Sequence, residues 1–217
     1  MPSGDGLIVR IRPPLGRLTA SQVLGLCAAA AAHGSGQLEI TRRANLQVRG
    51  IFPAAYPDVV AALSDLKLLD SGPEEERRRN LLVSPLWREG DDTFRVASAL
   101  LPLLPGLPNL PAKTGFLIDA GPAPLLLAEA GDFRVERGAG GGLILRAEGR
   151  AAGCPLPAGG EAAALIRLAG WFAASGGPEA RRMRHHAALL PDWAAEQEPP
   201  APAGVFAPDS PAFGLPF

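Results

Sequence analysis

Cysteine is scarce in this chain of 217 residues, which has only Cys27 and Cys154. Two thiols so far apart make neither a disulfide framework nor a CxxC metal knuckle. They also fall short of the four thiolates that a 4Fe-4S cluster takes from protein, so no cluster is expected on this chain alone. A charge excess is missing too: 21 Lys+Arg face 22 Asp+Glu. That balance lacks the basic surplus that would bind phosphate backbones or anionic lipids regardless of sequence, and no nucleic-acid or membrane partner is expected. No apolar run reaches the roughly 18 residues of a membrane span. The start Met1-Pro2-Ser3-Gly4-Asp5 has neither the basic stretch nor the apolar stretch of a signal peptide, and the expected location is cytoplasmic.

Apolar residues, by contrast, make up 47% of the chain, enough for one large or two small cores. The 26 glycines and 23 prolines mostly punctuate an ordered pattern. Residues 193–217 are the exception, a proline-rich stretch that reads as an extended linker or tail.

Leu7 to Arg12 alternates apolar and basic residues and is closed by Pro13-Pro14, which predicts a strand. Thr19 and Gln22 have the capping-box spacing, opening a helix to about Ala32. Gln37 to Thr41 and Asn45 to Arg49 read as strands, Pro57 to Leu66 as a helix, and Leu68-Leu69 as a short closing strand. This order is the split βαβ arrangement of a ferredoxin-like sandwich. The pattern restarts with a strand at Leu81 to Val83, a helix over Asp92 to Leu104 and a strand at Phe116 to Asp119. Short strands follow at Leu125 to Ala128, Phe133 to Arg137 and Leu143 to Ala147, then helices over Glu161 to Ala174 and Glu179 to Leu190. The expected class is α+β, with residues 1–72 and 77–192 as two packed units joined near Ser71 to Glu76.

Three basic clusters fall at strand ends or turns: Arg42-Arg43, Arg77-Arg78-Arg79, and Lys113. Brought to one cleft they would bind polycarboxylates, because guanidinium grips carboxylate with two parallel hydrogen bonds. Left apart, they are solvated surface charge paired with acids such as Glu74 to Glu76. His185-His186 point about 100° apart on a helix and have no further ligand at metal spacing, so no metal site is expected. Cys27, within an alanine-rich helix, and Cys154, between Gly153 and Pro155, are expected to be packing and loop residues rather than nucleophiles. Gly138 to Gly142 lacks the following Lys-Ser/Thr of a phosphate loop and reads as a hairpin turn. No catalytic residue stands out.

Taken with their neighbours, the clusters lie in four ordered segments: Gly4 to Gln22 (GDGLIVRIRPPLGRLTASQ), Leu38 to Gly50 (LEITRRANLQVRG), Arg78 to Leu86 (RRNLLVSPL) and Leu110 to Gly121 (LPAKTGFLIDAG). This order resembles the nitrite/sulfite reductase superfamily, and within it is most similar to the precorrin-3B synthases. The resemblance implies a ferredoxin-like half-domain followed by a sulfite-reductase-type α/β half-domain, a unit that full-length members carry twice. Arg43, Arg79 and Lys113 match residues that face a tetrapyrrole. A second lysine expected two residues after Lys113 is Gly115 here, which departs from the siroheme reductases and is similar to the precorrin-3B synthases.

The implied chemistry is dioxygen-dependent hydroxylation and lactone closure of precorrin-3A, with iron–sulfur help and a siroheme-like pigment or iron as further family cofactors. Arg43 and Arg79, with Arg42, Arg49 and Lys113, would anchor ring carboxylates, and Asn45, Gln47 and Asn80 would add neutral hydrogen bonds. The family's cluster cysteines lie in the second repeat, which Ala212 to Phe217 resembles at its start. The expected partners are therefore a tetrapyrrole and either a cysteine-bearing C-terminal half chain or a second copy of this chain. Half of a siroheme nitrite or sulfite reductase, and a non-enzymatic tetrapyrrole-binding module, remain the alternatives.

Overall fold

Two sheets, each with its own helices, organise the computed structural model, which describes residues 2–204. The first sheet is antiparallel, in the order β1-β2-β4-β3: β1 (Pro2–Ser3), β2 (Gly6–Ile11), β3 (Leu38–Ile40) and β4 (Leu46–Ile51). Between β2 and β3 runs α1 (Ala20–His33), opened by the predicted capping box of Thr19 and Gln22. After β4 comes α2 (Tyr56–Asp65). Ile11, Val48 and Ile51 from the sheet pack with Leu26 and Ala30 of α1 and Val59 and Leu63 of α2 in one buried cluster. Arg10 and Gln47, paired in register, stand at positions alternate to that apolar set.

Leu68-Leu69 is not a strand. Lys67, at the end of α2, takes a left-handed φ of 56° and the Leu68 N–H returns to the Leu63 carbonyl. Leu68 therefore enters the core as a plug, and β1 takes the sheet position beside β2.

A short helix, α3 (Pro73–Arg78), fills the expected junction and leads to the second sheet. That sheet is mixed, in the order β5-β6-β7-β8-β9: β5 (Leu81–Val83), β6 (Phe116–Asp119), β7 (Phe133–Arg137), β8 (Leu143–Ala147) and β9 (Cys154–Pro155). β5, β6 and β7 are parallel, and the rest are antiparallel. Helices α4 (Asp92–Leu100) and α5 (Glu161–Ala174) cover one face, packing Val96, Leu100, Leu165 and Phe172 against Phe116, Phe133 and Val135. The whole is α+β, a ferredoxin-like half-domain followed by a mixed α/β unit.

Four further expectations are corrected. The helix from Asp92 ends at Leu100 and tightens into a 3-10 turn over Leu101–Gly106, where Pro102 and Pro105 cannot supply helical N–H donors. Leu125 to Ala128 forms no strand, because the N–H groups of Leu125 and Leu126 are spent on the Asp119 carboxylate, both at 2.6 Å, rather than on a ladder. The helix expected over Glu179 to Leu190 shrinks to α6 (Gly177–Ala180), bracketed by left-handed Gly176 and Arg181. Residues 196–204 are no free linker either: Glu198 bridges to Gly153 and Pro200 to Gly138 along the second sheet. The resemblance of Ala212 to Phe217 to a next repeat lies outside the described residues. Among the described residues, no helix is long and apolar enough to cross a membrane.

Candidate functional site

The turn between β3 and β4 carries the adjacent arginines Arg42 and Arg43, and Arg43 reaches the second sheet. Thr41 closes it, with its N–H on the Asn45 carbonyl and its Oγ1 accepting from the Asn45 N–H, while Ala44 takes a left-handed φ of 52°. This tight loop turns Arg43 inward. Its Nη1 donates to Asn80 Oδ1 at 3.1 Å and its Nη2 to the Lys113 carbonyl at 3.2 Å. Asn80 in turn donates to the Thr114 carbonyl at 2.7 Å. Arg43, Asn80 and the Lys113 carbonyl, from three distant segments, therefore meet, while the Lys113 side chain is exposed and Arg79, which the resemblance had grouped with Arg43 and Lys113, stands apart.

Behind this group lies a carboxylate that sequence reading did not single out. Asp132, fully buried, accepts from the N–H groups of Gly115 (3.0 Å) and Met183 (2.8 Å) and from Arg182 Nε (2.9 Å). Arg182 also donates to Glu148 at 2.9 Å. Burial disfavours the Arg182 charge, but Asp132 and Glu148 outweigh it and hold the guanidinium pKa above its ordinary value. Arg43 is shifted the other way: burial, and then the nearby Arg182 charge, lower its pKa, against the pull of Asp132 and Glu148. Arg43 forms no carboxylate ion pair among the described residues. It is a half-buried cation whose hydrogen-bond partners are neutral.

Gly115 is tied to the same arrangement. A Cβ there would stand 2.6 Å from Asn80 Nδ2 and 2.9 Å from the Asn80 carbonyl oxygen, closer than real Cβ contacts come. The Asn80 carboxamide that holds Arg43 thus uses the room a side chain at position 115 would need.

Arg79 is differently placed. Its Nε and Nη2 each reach a carboxylate oxygen of Asp70 at 2.8 Å, and its Nη1 donates to the Arg12 carbonyl. The fork expected for a ligand carboxylate is occupied by a residue of the chain. Arg79, Arg43 and Asn45 do line one crevice, but its volume is about 10 Å³, no more than a single water needs. A macrocycle has no room between the two arginines.

The remaining expected residues scatter. Arg42 is exposed and 3.8 Å from Glu129. Arg49 pairs with Glu39 at 3.0 Å and Asp5 at 3.4 Å, away from the Arg43 cluster. Gln47 stands in register with Arg10 on β2 and Glu39 on β3. Asp70, Asp132, Glu148 and Arg182 lacked any motif; Arg182 in particular reads in sequence as one more charge on a surface helix.

Cys27 is exposed on α1 and Cys154 is half-buried beside β8. They are two thiols in different units, one on a helix and one on a strand, and no group of three or more His, Cys, Asp or Glu suited to a metal exists among the described residues. An iron–sulfur cluster does not fit the residues of this chain.

Comparison with known proteins agrees with the N-terminal architecture. Residues 1–66 match the nitrite/sulfite reductase ferredoxin-like half domain. A precorrin-3B synthase of Sinorhizobium sp is 44% identical over 68 residues, a stretch that is 31% of this chain and 15% of that protein. The similarity is thus confined to the ferredoxin-like first third of the chain, which resembles the nitrite/sulfite reductase half domain and the corresponding stretch of this precorrin-3B synthase.

Proposed function

We propose that the chain is the substrate-holding part of an oxidoreductase of the nitrite/sulfite reductase group, acting on a polycarboxylate tetrapyrrole such as precorrin-3A. The observation that carries this reading is Arg43: a positive charge fixed by two neutral acceptors, with no carboxylate in ion-pair contact among the described residues, is preorganised to receive a carboxylate. Arg42, next to it in sequence, and Lys113, whose carbonyl it meets, are exposed and would supply further charge for a substrate with several acidic arms. The ring would lie on the solvent side of Arg43, since the crevice toward Arg79 is too small to admit it.

In this role the chain binds and orients carboxylates, with Asn80 and the Lys113 carbonyl aiming Arg43. Hydroxylation by dioxygen and lactone closure need electrons that two separated cysteines cannot deliver through a cluster, so turnover would await a cysteine-bearing chain. The packing of Gly115 against Asn80 favours the precorrin-3B synthase reading over a siroheme nitrite or sulfite reductase, because a lysine at 115 would displace Asn80.

Absorbance-monitored titration of the chain with precorrin-3A tests the reading. Saturable binding, weakened at least about tenfold by Arg43→Ala, is expected for loss of a charge-assisted hydrogen bond. Equal binding by wild type and variant, or no binding, would overturn it.

A further inference from the structure

A cavity of about 550 Å³ opens at the seam between the two units, well within the roughly 300–1,000 Å³ of small-ligand sites. Leu68 and Leu69, following α2, face it from the first unit, and Leu101, Leu104 and Pro105 of the 3-10 turn from the second. Arg12 and Arg79 line both this cavity and the small crevice beside Arg43, so they form the wall between the two spaces. The lining is thus aliphatic with charged residues among it.

Those charges are not equally available. Asp70 is taken by Arg79, Glu74 by Arg77, and Glu75 accepts from the Ser71 hydroxyl. Arg12 faces Glu76 at 3.3 Å. Among the described residues two cations remain without an ion pair, Arg78, which donates to the Pro105 carbonyl, and Lys67, with no side-chain partner, against one such acid, Glu75, so the uncompensated charge of the lining is positive. Lys67 is also held at a φ of 56°, the left-handed position at a helix end that ordinarily falls to glycine.

We propose that this cavity binds an amphipathic anion, an alkyl chain ended by one carboxylate, with the chain against Leu68, Leu69, Leu101 and Leu104 and the carboxylate on Lys67 and Arg78. The complementarity is twofold: the aliphatic wall takes the chain, and the two cations without acids take the charge. This site does not depend on the Arg43 reading and uses none of its hydrogen bonds.

Isothermal titration of the full chain with dodecanoate, dodecanol and acetate tests it. Dodecanoate should bind once and saturably, at least about tenfold more tightly than either the neutral alcohol or acetate. Lys67→Gly and Arg78→Gln should each weaken dodecanoate about tenfold. Because glycine relieves the left-handed backbone, Lys67→Gly should unfold no earlier than wild type, which separates lost binding from lost fold. Arg43→Ala should leave dodecanoate binding unchanged even where it abolishes tetrapyrrole binding. Absence of dodecanoate binding, equal binding of dodecanol or acetate, or indifference to both cavity variants would overturn the proposal.

Discussion

The Arg43 guanidinium donates to the Asn80 carboxamide oxygen at 3.1 Å, and this bond joins the β3–β4 turn of the first sheet to the strand entry of the second. It serves both architecture and charge: a neutral acceptor anchors the cation without cancelling it. An acid in the same place would hold Arg43 as well and leave nothing for a ligand.

That contrast is testable at position 80. Asn80→Asp places a carboxylate against Arg43 and forfeits the hydrogen bond to the Thr114 carbonyl. The gain and the loss are each about 1–2 kcal/mol, so the melting temperature should move by only a few degrees. Tetrapyrrole binding should nevertheless fall about tenfold, because the internal acid competes for Arg43. Titration beside a thermal melt separates the two effects.

Asp132 is expected to matter more for stability than any residue it supports. Asp132→Ala leaves Arg182 facing only Glu148 and orphans the N–H groups of Gly115 and Met183. Removing one partner of a buried pair costs about 3–5 kcal/mol, which for a chain of this size lowers the melting temperature by roughly 6–20 °C. Differential scanning calorimetry reads this directly.

Gly115→Ala should destabilise by about 1–3 kcal/mol, since the new methyl meets backbone as well as side-chain atoms of Asn80 and neither can retreat freely. Chemical denaturation midpoints check the loss. Combining the change with Asn80→Ala should recover part of it, as the side-chain half of the clash disappears.

His186 supplies a pH signature. It is buried at 8% exposure, its Nε2 lies 2.8 Å from the Ser175 Oγ, and it packs edge-on against Trp171 and Phe172. Burial, then the Arg150 charge, lowers its pKa below 6.5, while Glu179 pulls the other way. A histidine whose folded pKa is depressed stabilises fully above its unfolded value and loses that contribution as pH falls from about 6.5 toward the folded value. Wild type should therefore lose stability as the pH falls below about 6.5. His186→Gln should flatten that part of the urea-midpoint profile, although the carboxylates with lowered pKa, Asp92 and Glu161, still act at lower pH.

Where local signals were strong, the sequence was legible. Thr19 and Gln22 marked the start of α1, the apolar runs at Phe116, Phe133 and Leu143 marked β6 to β8, and α5 runs over the expected Glu161 to Ala174. Most failures came from a contact or a backbone angle that local composition does not show. Leu125 to Ala128 has strand composition, yet its amides go to Asp119; Glu179 to Leu190 has helical composition, yet Gly176 and Arg181 turn it.

The candidate site divides the same way. Composition and order determined which arginines and lysines stand at turns and strand ends, because residue type and nearby turn chemistry act over a few residues; that Arg43 meets Asn80 and the Lys113 carbonyl came from the fold. Tertiary structure alone decided that Arg79 is spent on Asp70 while Arg43 has no acid, and that Asp132 ties Gly115 to Arg182. Whether a charge is available depends on which opposite charge folding brings within about 4 Å, and that distance is set by the packing of the two sheets.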